Sequence, residues 1–152
     1  MQKGNTIVEV VVGAAILSVV ALAFLGAMAT LSRFHERDML SIKGSLLAEE
    51  GIEALRYIKG TGWNNLSSVP AGQTRYLSVS PGVWSITNNP EIIDSVFYRS
   101  FKISQVQRSA TDDIVSSGGA VDPNTLLLDV WVSWNSRGST STTDYKAYIT
   151  NI

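Results

Sequence analysis

The single histidine, His35, stands beside Glu36 and Asp38, which is the sort of setting that could start a metal site or a proton relay. No second histidine and no cysteine exists to complete either, so an interfacial or solvated side chain is the expectation. Asp112, Asp113 and Asp122 with Asn124 offer oxygen ligands of the kind that hold calcium, but their spacing departs from the EF-hand pattern and predicts solvated turn residues. Ser116-Ser117-Gly118-Gly119 reads as a flexible loop tip, because no Gly-Lys-Ser or Gly-Lys-Thr follows to make a phosphate cradle. Arg75, Lys102, Arg108, Arg137 and Lys146 interleave with Tyr76, Tyr98 and Tyr148, a mixture that could touch DNA. Against that, the net charge is −1, and phosphate neutralisation needs a basic surplus. These residues predict no catalytic group, no metal set, no cofactor and no nucleic-acid partner.

Glu9 is the exception, because of where it stands. The run from Ile7 to Leu31 is broken only by Glu9, Gly13, Ser18, Gly26 and Thr30. As a helix it would extend about 38 Å, more than the roughly 30 Å hydrocarbon core of a bilayer. A membrane-spanning helix is therefore the default reading. An ionised side chain at the centre of such a helix costs about 2.5 to 3.5 kcal/mol, and less near the edge, so Glu9 calls for a partner. One account is local: Thr6-Ile7-Val8-Glu9 fits a capping box, with Thr6 as N-cap and Glu9 reaching back to its N–H, and an acidic residue also suits a helix start. The other account needs a cation from outside the chain. Small residues along the same helix, Ala23 and Ala27 among them, would let helices approach closely in lipid.

The elements that must position these residues change character along the chain. Only Lys3 and Glu9 are charged in the first 32 residues, so 23 of the 25 charges fall in the other 120. One apolar end is thus joined to an ordinary polar domain, and the absence of cysteine excludes disulfide frameworks, thiol catalysis and iron–sulfur clusters. Leu40, Gly44, Leu47, Gly51, Ala54 and Ile58 continue a helical stripe, which Gly60-Thr61-Gly62 should end. Gly44 and Gly51 each cost about 0.5 to 1 kcal/mol in a helix interior, so their place on the stripe predicts close packing there, with a sheet as the packing partner. Beyond it the period falls to two. Strands are expected at Arg75 to Val79 and Val83 to Thr87, joined by a type II turn at Pro81-Gly82, then around Phe97 to Ile103, Leu126 to Trp134 and Tyr145 to Ile149. The fold class is α+β: a long N-terminal helix, membrane-spanning in its first half and amphipathic in its second, packed on a C-terminal antiparallel sheet.

The segment Met1-Gln2-Lys3-Gly4-Asn5-Thr6-Ile7-Val8-Glu9 and the apolar run behind it resemble the prepilin signal of type IV pilins and type II secretion pseudopilins. Ala48 to Arg56, Gly62-Trp63, Tyr98 to Phe101 and Val130 to Trp134 are similar, more loosely, to pieces of minor pilins and pseudopilins. The resemblance implies a leader at 1–4, a membrane or filament-core helix at 5–31, its amphipathic continuation at 32–60 and a β-domain at 61–152. It implies cleavage by a prepilin peptidase between Gly4 and Asn5, N-methylation of Asn5, and subunit assembly through Glu9 in the fifth mature position. Asn5 stands where the family usually has Phe or Met. The implied partners are copies of the chain and other pilins or pseudopilins, the peptidase, a membrane platform protein, an assembly ATPase and the lipid bilayer. A chain of this kind would span the cytoplasmic membrane once with its C-terminal domain outside, then enter an extracellular or periplasmic filament. Cleavage would also supply the cation that Glu9 lacks, since the new α-amine at Asn5 could meet Glu9 of a copy stacked with an axial stagger. Two other readings remain: a secretory signal cut near Ala27-Met28-Ala29, and a plain single-pass anchor with Lys3 on the cytoplasmic side. Either would give a binding module that never polymerises.

Overall fold

The structure, a computed structural model, describes residues 3–136 and 138–151, with side chains from Ile7 onward. Helix α1 (Lys3–Thr61) is continuous, as a stretch without proline allows. It stops at the expected place: Gly62 takes φ +152°, and its N–H donates to the Lys59 carbonyl at 2.9 Å. The chain forms two compact units, Met1–Met39 and Leu40–Ile152.

In the first unit every residue from Ile7 to Met39 is exposed except the half-buried Gly13. The helix from Ile7 is long and apolar enough to cross a membrane once.

In the second unit the remainder of α1 lies on an antiparallel sheet, giving the α+β layering that the periodicity predicts. Gly44, Ala48, Gly51, Ile52, Leu55 and Ile58 are buried on one face, while Glu49, Glu53 and Arg56 stay exposed on the other. A Cβ added to Gly44 would stand 2.5 Å from the Trp134 ring, and one added to Gly51 would stand 2.8 Å from Val130 Cγ1. The two glycines are therefore the seats of two sheet side chains. A short helix, α2 (Asn64–Ser67), follows and buries Leu66 in the core.

The strands are β1 (Tyr76–Ser80), β2 (Val83–Thr87), β3 (Glu91–Ile93), β4 (Phe97–Arg108), β5 (Ile114–Val115), β6 (Ala120–Ser136) and β7 (Ser139–Thr150). A plain five-strand meander is not what forms. β1 and β2 make a separate two-stranded ribbon whose turn has Gly82 at φ +80°, as a type II turn requires. The main sheet runs β3-β4-β6-β7, with β5 paired to the far end of β4. Arg75 is not in β1 but forms an isolated bridge to Phe101, and the Gly72 N–H donates to the Ile103 carbonyl. The outer edge of β4 is thus covered piecewise by β3, Arg75, Gly72 and β5, whereas β7 pairs only with β6 among the described residues. β6 starts six residues earlier than its alternation announces, because its register against β4 slips: Gln105 faces Leu126, yet Val106 faces Asp122. Residues 123–125 bulge out between them, which is where a strand tolerates Pro123 with its missing N–H.

Phe97, Phe101 and Ile103 from β4 and Leu128, Val130, Val132 and Trp134 from β6 meet the helix stripe in one core. Phe97 and Trp134 lie tilted at 53° with centroids 5.8 Å apart. Each such side chain contributes about 1.5 to 3 kcal/mol of transfer free energy, so this layer is what holds helix to sheet.

Candidate functional site

α1 begins at Lys3, so Thr6 lies inside the helix and cannot be its N-cap. That corrects the capping-box account of Glu9. Gly4 and Asn5 lie in the first turn of the helix, with their side chains outside the described residues. Between Ile7 and Leu31 the polar side chains are Glu9, Ser18 and Thr30. Ser18 Oγ donates to the Ala14 carbonyl at 2.8 Å and Thr30 Oγ1 to the Gly26 carbonyl at 2.9 Å. Both hydroxyls bond to the turn before them, which is how a helix in lipid hides its polar side chains. Glu9 is exposed and has no such return bond. Gly13 and Gly26 face open space, since a Cβ on either would meet nothing within 4 Å. Among the described residues the segment therefore presents one carboxylate without a partner and an apolar surface notched by small residues.

The second unit treats its charges in the opposite way. Arg99 is 2% exposed, between Phe97 and Phe101 on the core side of β4. Its Nε and Nη2 each donate to Glu91 at 2.8 Å in a two-pronged pair. Nη1 donates to the Leu47 carbonyl and to Glu50, both at 3.0 Å, and the guanidinium lies 5.2 Å from the Trp84 ring. Burial alone would lower its pKa, but the carboxylates of Glu91 and Glu50 outweigh burial and raise it. One side chain thus binds α1, β2, β3 and β4 to each other. Sequence reading missed it, although the signal was there: Arg99 has the same parity as Phe97, Phe101 and Ile103, so the alternation places it inside.

The acidic loop is only partly a set of solvated turns. Asp112 is exposed at φ +67°, but Asp122 lies in β6 with 14% of its side chain exposed. Arg108 Nε donates to Asp122 at 2.7 Å, and Arg108 Nη1 donates to the Asp112 carbonyl at 2.9 Å. The guanidinium hydrogen bond, joined by bonds from Thr125 and the Asn124 N–H, holds the Asp122 pKa down at about 2. Arg108 thus serves this loop as its internal cation.

The cations that could have met DNA are dispersed and mostly engaged. Lys146 lies 3.4 Å from Asp129 and 3.9 Å from Asp144, Lys102 stands 5.3 Å from the Trp131 ring, and Arg75 donates to Gln73. Arg137 lies outside the described residues. Tyr98 and Tyr148 are exposed on the sheet face away from α1, with Lys102 and Lys146, whereas Tyr76 belongs to the ribbon. Asp129 sits between those two lysines in the register, and its pKa is raised by burial against the pull of Lys146. Its Oδ1 is buried without a partner among the described residues. His35 is exposed on α1, and no group of three or more metal-ligating side chains comes together among the described residues.

Comparison with known protein families, with curated proteins and with solved structures found no match.

Proposed function

We propose that this chain is a non-enzymatic structural subunit of a type IV pilus-like or type II secretion pseudopilus-like filament. A prepilin peptidase cuts it after Gly4, the new terminus at Asn5 is methylated, and an external ATPase acting through a membrane platform drives assembly. During assembly the apolar part of α1 leaves the lipid for the filament core, and the β-domain forms the outer layer. The observation that carries this reading is Glu9, the polar side chain of the apolar stretch with no bond among the described residues, while Ser18 and Thr30 both have one. A carboxylate left in that state near hydrocarbon is stabilised by a cation supplied from outside, and a trimmed neighbour offers an α-amine at the matching height. Gly13 and Gly26, open to close approach, support helix-to-helix packing of the same segment.

The test is Glu9→Gln, read by filament yield and by the mass of the amino-terminal peptide. Gln keeps the size and hydrogen-bonding reach but removes the charge. We expect normal insertion, a mature chain beginning at Asn5 and no filaments. Filaments at wild-type yield would remove the pairing role. An intact Met1 on a dispersed monomer would instead make this a membrane-anchored binding module.

A further inference from the structure

Beyond the C-terminal end of α1, α2 and the turn after it stand opposite the β6 bulge, and a cleft of about 600 Å³ lies between them. Its size falls in the range of small-molecule sites, roughly 300 to 1,000 Å³. Trp63, half-buried against the core, lines it together with the exposed residues Asn64, Gln105 and Asn124. Among the described residues these three side-chain amides have no hydrogen-bond partner. Each can donate and accept at once, and the indole adds a flat apolar wall.

The electrostatics narrow the ligand class. Among the described residues no Lys or Arg lines the cleft, and the one charged wall residue, Asp122, is held by Arg108. A phosphate or carboxylate ligand would find no cation there and a carboxylate facing it. An apolar ligand would strand the amides, at the cost of buried unsatisfied groups. What fits paired donors and acceptors around an aromatic wall is a neutral ring bearing many hydroxyls. The walls are also set in advance: the Asn151 N–H donates to the Asn124 carbonyl, the Asn124 N–H to Asp122 Oδ1 at 2.8 Å, and the Gly72 N–H to the carbonyl of Ile103, another lining residue. A site ordered before binding loses less entropy when it fills.

We propose that this cleft is a binding site for a neutral saccharide, with Trp63 as the stacking wall and Asn64, Gln105 and Asn124 as the hydroxyl-reading groups. The inference goes beyond the filament reading and does not depend on it, since a dispersed monomer presents the same cleft.

The experiment titrates the full chain in detergent micelles with chitotriose, cellotriose and maltotriose, each to about 20 mM, which covers weak millimolar binding. Inorganic phosphate is the fourth arm. The readout is the chemical shift of the Trp63 indole and of the three side-chain amides. At least one trisaccharide should give saturable shifts at these groups, and phosphate should give none. Gln105→Ala and Asn124→Ala, both at exposed positions, should each weaken binding by about fivefold, the effect of one lost neutral hydrogen bond, with the thermal midpoint unchanged. No saturable response to any of the three sugars overturns the proposal. So does a response to phosphate alone, or sugar binding that survives both substitutions.

Discussion

Helix α1 carries two pairs of glycines in opposite circumstances. Gly44 and Gly51 are pressed by Trp134 and Val130, while Gly13 and Gly26 look onto empty space. The charges divide the same way. Arg99 is enclosed by Glu91, Glu50 and the Leu47 carbonyl, and Glu9 has no partner among the described residues. The apolar stripe of residues 40–61 is thus packed against the sheet. The large apolar side chains of residues 7–39 stay exposed, with nothing packed on them among the described residues. A missing side chain is informative only once its surroundings are known.

Substitutions can press on this contrast, beginning with the strongest. Arg99→Ala would leave Glu91, only 14% exposed, as a buried unpaired charge and should cost the second unit about 3 to 5 kcal/mol. Thermal unfolding of the full chain in micelles measures it, and a loss under about 1 kcal/mol would show that Glu91 finds water without its partner. Gly51→Ala comes next. Its methyl group meets Val130 and the Arg99 stem, so despite the better helix propensity of alanine it should destabilise by about 1 to 3 kcal/mol. The same change at Gly13 or Gly26 should leave the midpoint of the second unit where it is and act only on association, read as filament yield or cross-linked dimer in membranes. Equal midpoint shifts at Gly13 and Gly51 would abolish the distinction.

The smallest effect is expected from acid. Asp122 is held at about 2, below the ordinary 3.8, so the stability it adds is present above about pH 4 and drains away as the pH falls from there toward 2. Amide exchange in β5 and the 109–113 turn should therefore quicken over that window, and Arg108→Gln should flatten the dependence. An unchanged profile in Arg108→Gln would mean that Arg108 is not what lowers Asp122.

What the amino-acid order reveals about this fold depends on how local the cause is. The Pro81-Gly82 turn, the helix stop at Gly62 and the inward set Leu128, Val130, Val132 and Trp134 each follow from a few adjacent residues and are visible in advance. β3 and β5 are not, since three and two residues are too few to show a period. The early start of β6 is hidden because Pro123 signals a break, and only the partner strand reveals that the break is a bulge. At the candidate site, Glu9 stands out from its setting alone, whereas the cleft beside Trp63 joins residues 63 to 151 and has no signature in any single segment. The capping box failed for a related reason: its four residues fit the motif, but the helix had already begun at Lys3.

The buried guanidinium has one more consequence. Sliding β4 past β6 by a single residue would exchange the two faces of the strand. Arg99 would turn toward water, Glu91 would be abandoned without its counter-ion, and the Tyr98 hydroxyl would be driven among the aliphatic side chains. A leucine at position 99 would resist that slip far less. Arg99 thus works as an indexing pin, which determines less how tightly the layers are held than which single alignment they are permitted to take.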